Sequence, residues 1–442
     1  MKAILGPSGG TLSMVQTALF AALLVVPACQ PEKEHRTTEP ARQIEVTFAH
    51  STTGGPEKVE IDRTIAEFEA LHPNIKIKQN AIETSVYETI GLKALFSGGT
   101  PPDIYFQWGK YLVGEYQEAG YAADLTDELE KDDWKARFAP EAWANATYKG
   151  RVYLVPTSID LSAVVWYNKT MFQQLGLSPP TTWTEFMRVC ELLKSKGIVP
   201  VGFGNRDLWP AANWSAHLMS RVAGEQLYDD VLSLKPGTKF ANDGFIKGLG
   251  MVEEMARLGY FNAGLNGLND IEGMMLFFQG RAAMHPVGGW LINVAKEAAP
   301  QGFEYDPFNM PAVEGGRGNQ RSILWLSSGY MVYRDTKHFK EAVEFLRYLT
   351  SVEVAKRFVN SCGQFNSVPA AITKESADPH LLSLVSIYRK AKAVVAAPDV
   401  GYGRSRMIPF MDATALVIGG QKTAREALEQ CDRAIEAMKG SV

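Results

Sequence analysis

The hydrophobic and polar positions in the first part of the chain alternate between strand spacing and helix spacing. Apolar residues at every second position predict a strand, and apolar residues three or four apart predict a helix. These patterns predict strand 44–48, helix 61–71, strand 75–78, helix 86–96 and strand 104–106. This order predicts an α/β fold with a parallel sheet and crossover helices.

A second α/β region follows this first one. Its patterns predict strands 163–167 and 198–203 and helices 184–196, 211–223, 242–258 and 290–298. The apolar run 322–333 contains Ser-Ser-Gly in its middle, which favours a strand passing between two lobes over a strand within one lobe. The chain after Phe339 is predicted to be mostly helical.

The N-terminal segment is typical of a cleaved export signal. The apolar run Ala18–Val26 is shorter than the roughly 20 residues that a membrane-spanning helix needs. It ends in Pro27-Ala28-Cys29, and a cysteine after a small residue resembles the bacterial lipobox, in which that cysteine is acylated. We expect a signal peptide at 1–29, lipidation at Cys29 and a polar tether at 30–43. An ordinary signal peptide with an incidental cysteine is the alternative.

The composition and the motifs of the chain argue against several classes of function. The chain has 442 residues, 46% of them hydrophobic and 21% charged, and a formal net charge of −4, so nucleic acid is not an expected partner. Its four cysteines have no Cys/His spacing typical of zinc sites. No HExxH, Walker A or strand-linked GxGxxG motif is present in the mature sequence. We therefore expect no cofactor, no metal and no enzymatic activity.

Several segments, in order, resemble the extracellular solute-binding proteins of ABC importers, family 1, which includes maltose-binding protein. The most specific match begins with Tyr148–Asp160 and continues through Trp166–Lys169 and Pro179–Trp183. Ser97–Asp103 and Phe278–Trp290 are further matches. The resemblance covers about 44–440 and implies a two-lobed α/β fold of the type II periplasmic-binding-protein kind, with the ligand in the cleft between the lobes.

The resemblance also implies how the lobes and hinges divide the chain. We expect one lobe from 44–157 plus 328–363 and the other from 158–327 plus 364–442. The implied hinges are near Thr157–Ile159, Leu326–Gly329 and Gln364–Asn366. We expect a monomer, anchored by lipid in the bacterial cell envelope on the periplasmic or cell-surface side, that passes a carbohydrate to ABC permease subunits in the membrane.

A sugar site needs flat aromatic rings for the CH faces and side chains that hydrogen-bond to the hydroxyl rim. We looked for such side chains at strand ends, loop–helix junctions and the implied hinges. The candidate ligand-binding residues are His50, Ser51, Trp108, Asp160, Asn205, Trp209, Asn213, Trp214, Trp290, Trp325, Gln364 and Arg404. Trp290 is the leading candidate, since it follows two glycines and matches a stacking position of the resembled family.

Two alternatives stay open at this stage. The same fold could bind a non-sugar solute such as a polyol, glycerol phosphate or polyamine. An extracytoplasmic glycan-degrading enzyme would need two carboxyl groups about 5–10 Å apart, and the many acidic residues of the chain allow such a pair. For each candidate side chain the competing interpretation is a structural one, such as core packing for tryptophan or capping for Asp160.

Overall fold

The computed structural model describes residues 43–439, and strands and helices alternate along this range. The strands are β1 (Ile44–His50), β2 (Ile75–Ala81), β3 (Ile104–Trp108), β4 (Thr147–Tyr148), β5 (Arg151–Val152), β6 (Val155–Leu161), β7 (Val164–Asn168), β8 (Val199–Val201), β9 (Ala282–Val287), β10 (Tyr305–Phe308), β11 (Ser322–Val332) and β12 (Ala393–Val395).

The helices lie between these strands and continue after the last one. They are α1 (Gly55–Leu71), α2 (Thr84–Val86), α3 (Leu92–Ser97), α4 (Tyr111–Glu118), α5 (Thr126–Leu129), α6 (Trp143–Ala146), α7 (Lys169–Gln174), α8 (Trp183–Ser195), α9 (Trp209–Ala223), α10 (Glu225–Leu232), α11 (Asp243–Arg257), α12 (Asp270–Phe278), α13 (Leu291–Ala298), α14 (Phe339–Leu349), α15 (Val352–Cys362), α16 (Pro379–Lys390), α17 (Pro398–Gly401), α18 (Arg404–Ile418) and α19 (Ala424–Lys439). A π-helical turn, Tyr87–Gly91, joins α2 to α3.

The first sheet has the strand order β12-β11-β3-β1-β2, with β6 paired to β11. β1 pairs in parallel with both β2 and β3, which confirms the predicted strand, helix, strand, helix, strand order. α1 forms because Ile61, Ile65 and Phe68 share one face of the helix and are buried together. Pro56 lies in its first turn, where proline needs no hydrogen-bond partner, and Pro73 follows its end.

The second sheet has the order β10-β7-β9-β8, and helices cover both of its faces. Successive side chains of a strand point to opposite faces. Trp166 of β7 accordingly belongs to the apolar cluster shared with the first sheet, whereas Val165 belongs to a separate cluster with α8, α9, α11, α18 and α19. A capping box between Thr182 and Glu185 fixes the start of α8.

β11 connects the two parts of the fold. It pairs antiparallel with β3 and β6, and its first residues pair in parallel with β12. The predicted long apolar strand is therefore present. The β6 register shifts between Ser328 and Gly329, and a Cβ atom at Gly329 would lie 2.0 Å from the carbonyl oxygen of Val155. Only glycine allows this close approach of two backbones.

Replacing Gly329 by alanine should lower the free energy of unfolding by about 1–3 kcal/mol, because one of the two strands must move away. Gly250 in α11 is a matched control, since a Cβ atom there meets nothing within 4 Å. Gly250→Ala should leave stability unchanged or raise it by about 0.5–1 kcal/mol through helix propensity. Urea denaturation would measure both values, and equal stability of the two variants would contradict the close-contact argument.

Candidate functional site

Three partly exposed tryptophans lie where the two apolar clusters meet. Trp108 ends β3 and Trp209 begins α9, and each packs against both clusters. Trp290, just before α13, forms an edge-to-face pair with Trp209, with ring centroids 5.6 Å apart and an interplanar angle of 66°. We call the boundary between the first sheet and the helices of the second sheet, where these indoles lie, the cleft. Aromatic rings that keep part of their surface open in a cleft can stack on a ligand.

The ring of Trp290 is closely held by its neighbours. A Cβ atom at Gly288 would lie 1.9 Å from the indole, so the ring lies directly against the glycine backbone. Its Nε1–H donates a hydrogen bond to Oδ2 of Asp270 over 3.3 Å. The Gly-Gly-Trp sequence after β9 therefore makes room for a ring that a bulkier residue at 288 would displace.

Asp160 lies where β6 and β11 cross. Ser328 Oγ donates to its Oδ2 over 2.7 Å, and Ser158 Oγ donates to its Oδ1 over 3.2 Å. The two serine hydroxyls are themselves 2.7 Å apart. Burial raises the pKa of Asp160, while the two hydroxyl groups partly offset this effect. The carboxyl group can accept further hydrogen bonds from a ligand.

Glu57 is a second acid in this region, and the sequence prediction did not include it. It lies in the first turn of α1, and burial together with the charge of Asp160 raises its pKa to about 7, while a hydrogen bond from Thr52 lowers it. Its position could have been found from the sequence. Gly54-Gly55-Pro56 directly after β1 predicts a helix start at the carboxyl end of a strand, where ligands bind in parallel sheets.

Arg404 joins elements from the two sides of the cleft. It is the first residue of α18, and its Nη1 lies 3.0 Å from Oε2 of Glu88 in the π-helical turn after β2. Its Nη2 donates to the carbonyl of Asp207 over 2.8 Å. The side chains of Arg404 and Glu88 are only 18% and 10% exposed. The Arg404 guanidinium therefore contacts protein groups on both sides of the cleft.

A second contact lies beside this ion pair. Lys110 Nζ is 3.5 Å from Oδ1 of Asp229 and 4.2 Å from the ring centroid of Tyr402. Lys110 follows β3 of the first sheet, whereas Asp229 and Tyr402 belong to segments around the second cluster. The structure therefore has the two sides of the cleft in direct contact.

Two of the predicted residues lie at the end of β1. His50 is fully buried, its ring is tilted by 43° against that of Phe48 with centroids 4.9 Å apart, and its Nε2 lies 3.1 Å from Oε1 of Gln79. Burial lowers the pKa of His50. Ser51 is half-buried. The imidazole ring is thus covered by protein, while the hydroxyl group next to it is partly accessible.

Four of the predicted residues, Asn205, Trp209, Asn213 and Trp214, lie just before α9 or within it, and most of them are internal. Asn205 is fully buried, accepts a hydrogen bond from the Ala211 amide over 2.9 Å, and donates to Asn266 over 2.7 Å. Asn213 and Trp214 are 3% and 1% exposed. Only Trp209 of this group is partly open. Asn205 therefore fixes the start of α9, which places Trp209 at the cleft.

Two further predicted residues are Trp325, on β11, and Gln364, in the implied hinge Gln364–Asn366. Trp325 is 5% exposed and packs edge-to-face on Tyr388, with centroids 6.1 Å apart. Gln364 is half-buried, and its Oε1 accepts a hydrogen bond from Asn366 Nδ2 over 2.6 Å. Trp325 is therefore largely covered, whereas Gln364 has a partly accessible amide.

Other parts of the described chain offer less chemistry. A cavity of about 360 Å³ lies between segments 261–267 and 418–421, and none of its lining residues is ionisable. Within residues 43–439, no group of three or more His, Cys, Asp or Glu side chains could hold a metal ion. Cys190, Cys362 and Cys431 are buried free thiols. Cys29 lies outside the described residues.

Replacing Glu57 by glutamine should change how stability depends on pH. The pKa of Glu57 is about 7 in the folded protein and near 4.5 in the unfolded chain, so the folded state retains this proton over that interval. The contribution of Glu57 to the free energy of unfolding is complete below pH 4.5 and is lost as the pH rises through 7. Between pH 5 and pH 8, the wild type should lose about 1–3 kcal/mol relative to Glu57→Gln.

Denaturant titrations at the two pH values would measure this difference. Glu45, exposed on β1, provides a control, and Glu45→Gln should show no comparable change relative to the wild type. A constant difference between wild type and Glu57→Gln would contradict the burial of this carboxyl group.

Known proteins resemble this chain over most of its length. An uncharacterized ABC transporter extracellular-binding protein from Pyrococcus horikoshii is 27% identical over 440 residues, covering 97% of this chain and 96% of that protein. The multiple sugar-binding protein of Streptococcus mutans is 26% identical over 322 residues, covering 70% of this chain and 72% of that protein.

Solved structures show the same architecture. A structure from work on xylan utilization by the thermophilic bacterium Caldanaerobius polysaccharolyticus has a TM-score of 0.82 and 26% identity, covering 89% of this chain and all of that one. The predicted two-lobed fold is therefore confirmed. The family of bacterial extracellular solute-binding proteins matches residues 55–356. Since this match spans more than half of the sequence, the chain belongs to that family.

Proposed function

We propose that this protein is the substrate-binding component of an ABC importer and captures a mono- or oligosaccharide in the cleft between its lobes. The observation that carries this proposal is the Trp209–Trp290 pair, whose partly open rings share the cleft with the acids Asp160 and Glu57. Stacking on the rings and hydrogen bonds to the acids suit the CH faces and hydroxyl rim of a sugar. The sugar-binding relative from Streptococcus mutans supports the same ligand class.

The proposed lobes are 44–157 plus 328–363 and 158–327 plus 364–442. Contacts among the three proposed hinge segments support this division. Ile159 pairs with Ser327 across β6 and β11, and its amide donates to the Phe365 carbonyl over 2.7 Å. The Ser367 amide donates to the Thr157 carbonyl over 3.1 Å. Because the segments lie side by side, a small rotation in all three can open the cleft as a hinge.

Binding and release would follow from an equilibrium between open and closed forms. The Glu88–Arg404 and Lys110–Asp229 contacts join the two sides in the closed form. A ligand that contacts both sides has a higher affinity for the closed form and shifts the equilibrium toward it. The membrane permease would then receive the ligand from the closed protein. None of the helices in residues 43–439 has the length and apolar character that crossing a bilayer requires.

One observation favours a second candidate ligand, a polyamine. Glu57 and Asp160 lie in the cleft. The cations Arg404 and Lys110 already contact other carboxyl groups, those of Glu88 and Asp229. A cationic ligand could ionise and pair with these two acids. Glycerol phosphate is disfavoured by the same charge pattern, since a phosphate needs free Arg or Lys side chains. The family consists of binding proteins, and we propose reversible binding without turnover here as well.

A ligand panel tests the proposed function. Calorimetry with maltotriose, raffinose, xylotriose, chitotriose and spermidine should show saturable binding of at least one sugar, with intact sugar recovered afterwards. Binding of spermidine alone would replace the carbohydrate proposal by the polyamine one. Recovery of hydrolysed sugar would show an enzyme, and no binding by any sugar would contradict the carbohydrate proposal.

Replacing Trp290 by alanine should weaken binding of the best sugar in this panel by about 2–4 kcal/mol, because a stacking surface is removed from the centre of the site. Trp143, which packs on Phe138 with ring centroids 5.1 Å apart, offers a control. Trp143→Ala should leave the affinity unchanged. Calorimetry measures both variants, and an unchanged affinity for Trp290→Ala would remove this residue from the site.

We also propose a lipid anchor at Cys29, supported by the sequence Pro27-Ala28-Cys29 after an apolar run. Full-length protein expressed in a bacterium should fractionate with membranes and incorporate labelled palmitate, while Cys29→Ser should do neither. Cys190→Ser, which changes a thiol in the folded part, should retain the label. Membrane association of Cys29→Ser without label would contradict the anchor.

A further inference from the structure

Three neighbouring groups restrict the orientation of the Trp290 ring. The Gly288 backbone lies against one face, and the ring of Trp209 meets it edge to face. Asp270 supplies the one polar contact, accepting from Nε1–H over 3.3 Å. The first two contacts restrict the plane of the ring. The hydrogen bond also restricts which edge of the indole points toward Asp270, and therefore which edge points into the cleft.

Asp270 is itself in an unusual environment. It is 8% exposed, and its Oδ1 has no hydrogen-bond partner among the described residues. Nε2 of His285 is likewise buried and unpartnered in this part of the chain, and it lies 3.9 Å from that oxygen. Two unpartnered polar atoms therefore face each other behind Trp290. Buried polar atoms without partners are rare in folded proteins, so this pair requires an explanation.

The tautomer of His285 identifies which of the two atoms can donate. Its Nδ1 lies 3.0 Å from the Gly202 carbonyl oxygen, and a carbonyl can only accept a hydrogen bond. Nδ1 must therefore carry the proton, which leaves Nε2 of the neutral ring as an acceptor. An ionised Asp270 would place an acceptor opposite an acceptor. A protonated Asp270 would instead present a donor at Oδ1 to the acceptor Nε2 and still accept the indole N–H at Oδ2. A direct hydrogen bond to Nε2 requires the two atoms to approach by about 1 Å from their separation of 3.9 Å.

The pKa shifts agree with this assignment. Burial raises the pKa of Asp270 to about 7, opposed by the hydrogen bond from Trp290 and helped by the charge of Asp207, and burial lowers the pKa of His285 to about 4. Both shifts favour the neutral forms of the two groups. The neutral pair avoids the cost of burying charge without a counter-ion.

We propose that Asp270 is a positioning residue for the sugar site: its protonated carboxyl group, supported by His285, fixes the orientation of Trp290. This inference rests on the proposed function, in which Trp290 stacks on the sugar. Asp270 acts through the indole and has no contact with the ligand. A correctly oriented ring binds the sugar without first losing rotational freedom, which is the advantage of preorganisation.

Asparagine at position 270 provides a sharp test, because its amide oxygen can accept from Trp290 while its NH₂ group donates to His285. Asp270→Asn should therefore bind sugar with an affinity within about twofold of the wild type. Asp270→Ala should weaken binding about threefold to tenfold, the range expected for one neutral hydrogen bond. Asp270→Leu, which also lacks an acceptor, replaces the alanine variant if that variant does not fold. The probe is the best-binding sugar among maltotriose, raffinose, xylotriose and chitotriose.

A double-mutant cycle separates positioning from general loss of structure. Trp290→Phe keeps a flat ring and removes the N–H donor. If Asp270 acts through this donor, Asp270→Ala should cause no further loss of affinity in the Trp290→Phe background. An undiminished effect of Asp270→Ala in that background would overturn the proposal, as would wild-type affinity of Asp270→Ala or a loss in Asp270→Asn equal to that of Asp270→Ala.

A spectroscopic measurement needs no ligand and therefore distinguishes this inference from the proposed function. In protein labelled with ¹⁵N-indole tryptophan, the Trp290 resonance is identified by its absence in Trp290→Phe. Its Nε1–H should shift upfield in Asp270→Ala and remain near the wild-type position in Asp270→Asn. If no sugar binds but these shifts occur, the carbohydrate proposal fails while the hydrogen-bonded orientation stands. If sugar binds and Asp270→Ala leaves the resonance in place, the positioning role fails alone.

Discussion

The pairing of β6 with β11 is the constraint on which the rest of the structure depends. β11 is hydrogen-bonded to β3 on one side and to β6 on the other, so the same strand belongs to the first sheet and to the crossing between lobes. The close backbone approach at Gly329 brings Ser328 beside Ser158 and Asp160. The crossing therefore connects the two lobes and also supplies polar groups to the proposed ligand site, so that the proposed closure and the proposed recognition involve the same segments.

The electrostatics of the cleft follow from this arrangement. Burial raises the pKa of Glu57 at the cleft to about 7, and burial behind Trp290 raises the pKa of Asp270 to about the same value. Glu88, which contacts Arg404 across the cleft, also has its pKa raised by burial, to about 8, although the charge of Arg404 opposes this shift. A neutral sugar suits such a cleft, because its hydroxyl groups can donate to ionised carboxylates or accept from protonated ones. Hydrogen bonds from the ligand thereby replace those lost with the water.

Much of the fold could be predicted from the sequence, because each strand or helix follows from a local pattern of apolar and polar residues. The alternation of 44–48, the helical spacing of Ile61, Ile65 and Phe68, and the long apolar run around Ser327-Ser328-Gly329 each predict one element. The proposed site was less predictable. The segment from Asn205 to Trp214 looks like a ligand loop in sequence, yet Trp214 lies in α9, which is buried on nearly all sides, so Asn205 and Trp214 serve the interior. Burial of that kind depends on distant helices that no local pattern reveals.

Asp270 is the reverse case, a residue whose proposed role could not be predicted from the local sequence. In sequence it is an ordinary acid in the first turn of a capped helix, following Asn269, and nothing nearby suggests a role. Its surroundings come from His285 on β9 and Trp290 beyond it, which only the folded chain brings within reach. Since a buried carboxyl group is costly even in its neutral form while Oδ1 has no partner among the described residues, its presence there calls for a compensating contribution. Orientation of the aromatic ring that faces the cleft supplies one, because a stacking surface contributes to affinity only while it faces the ligand.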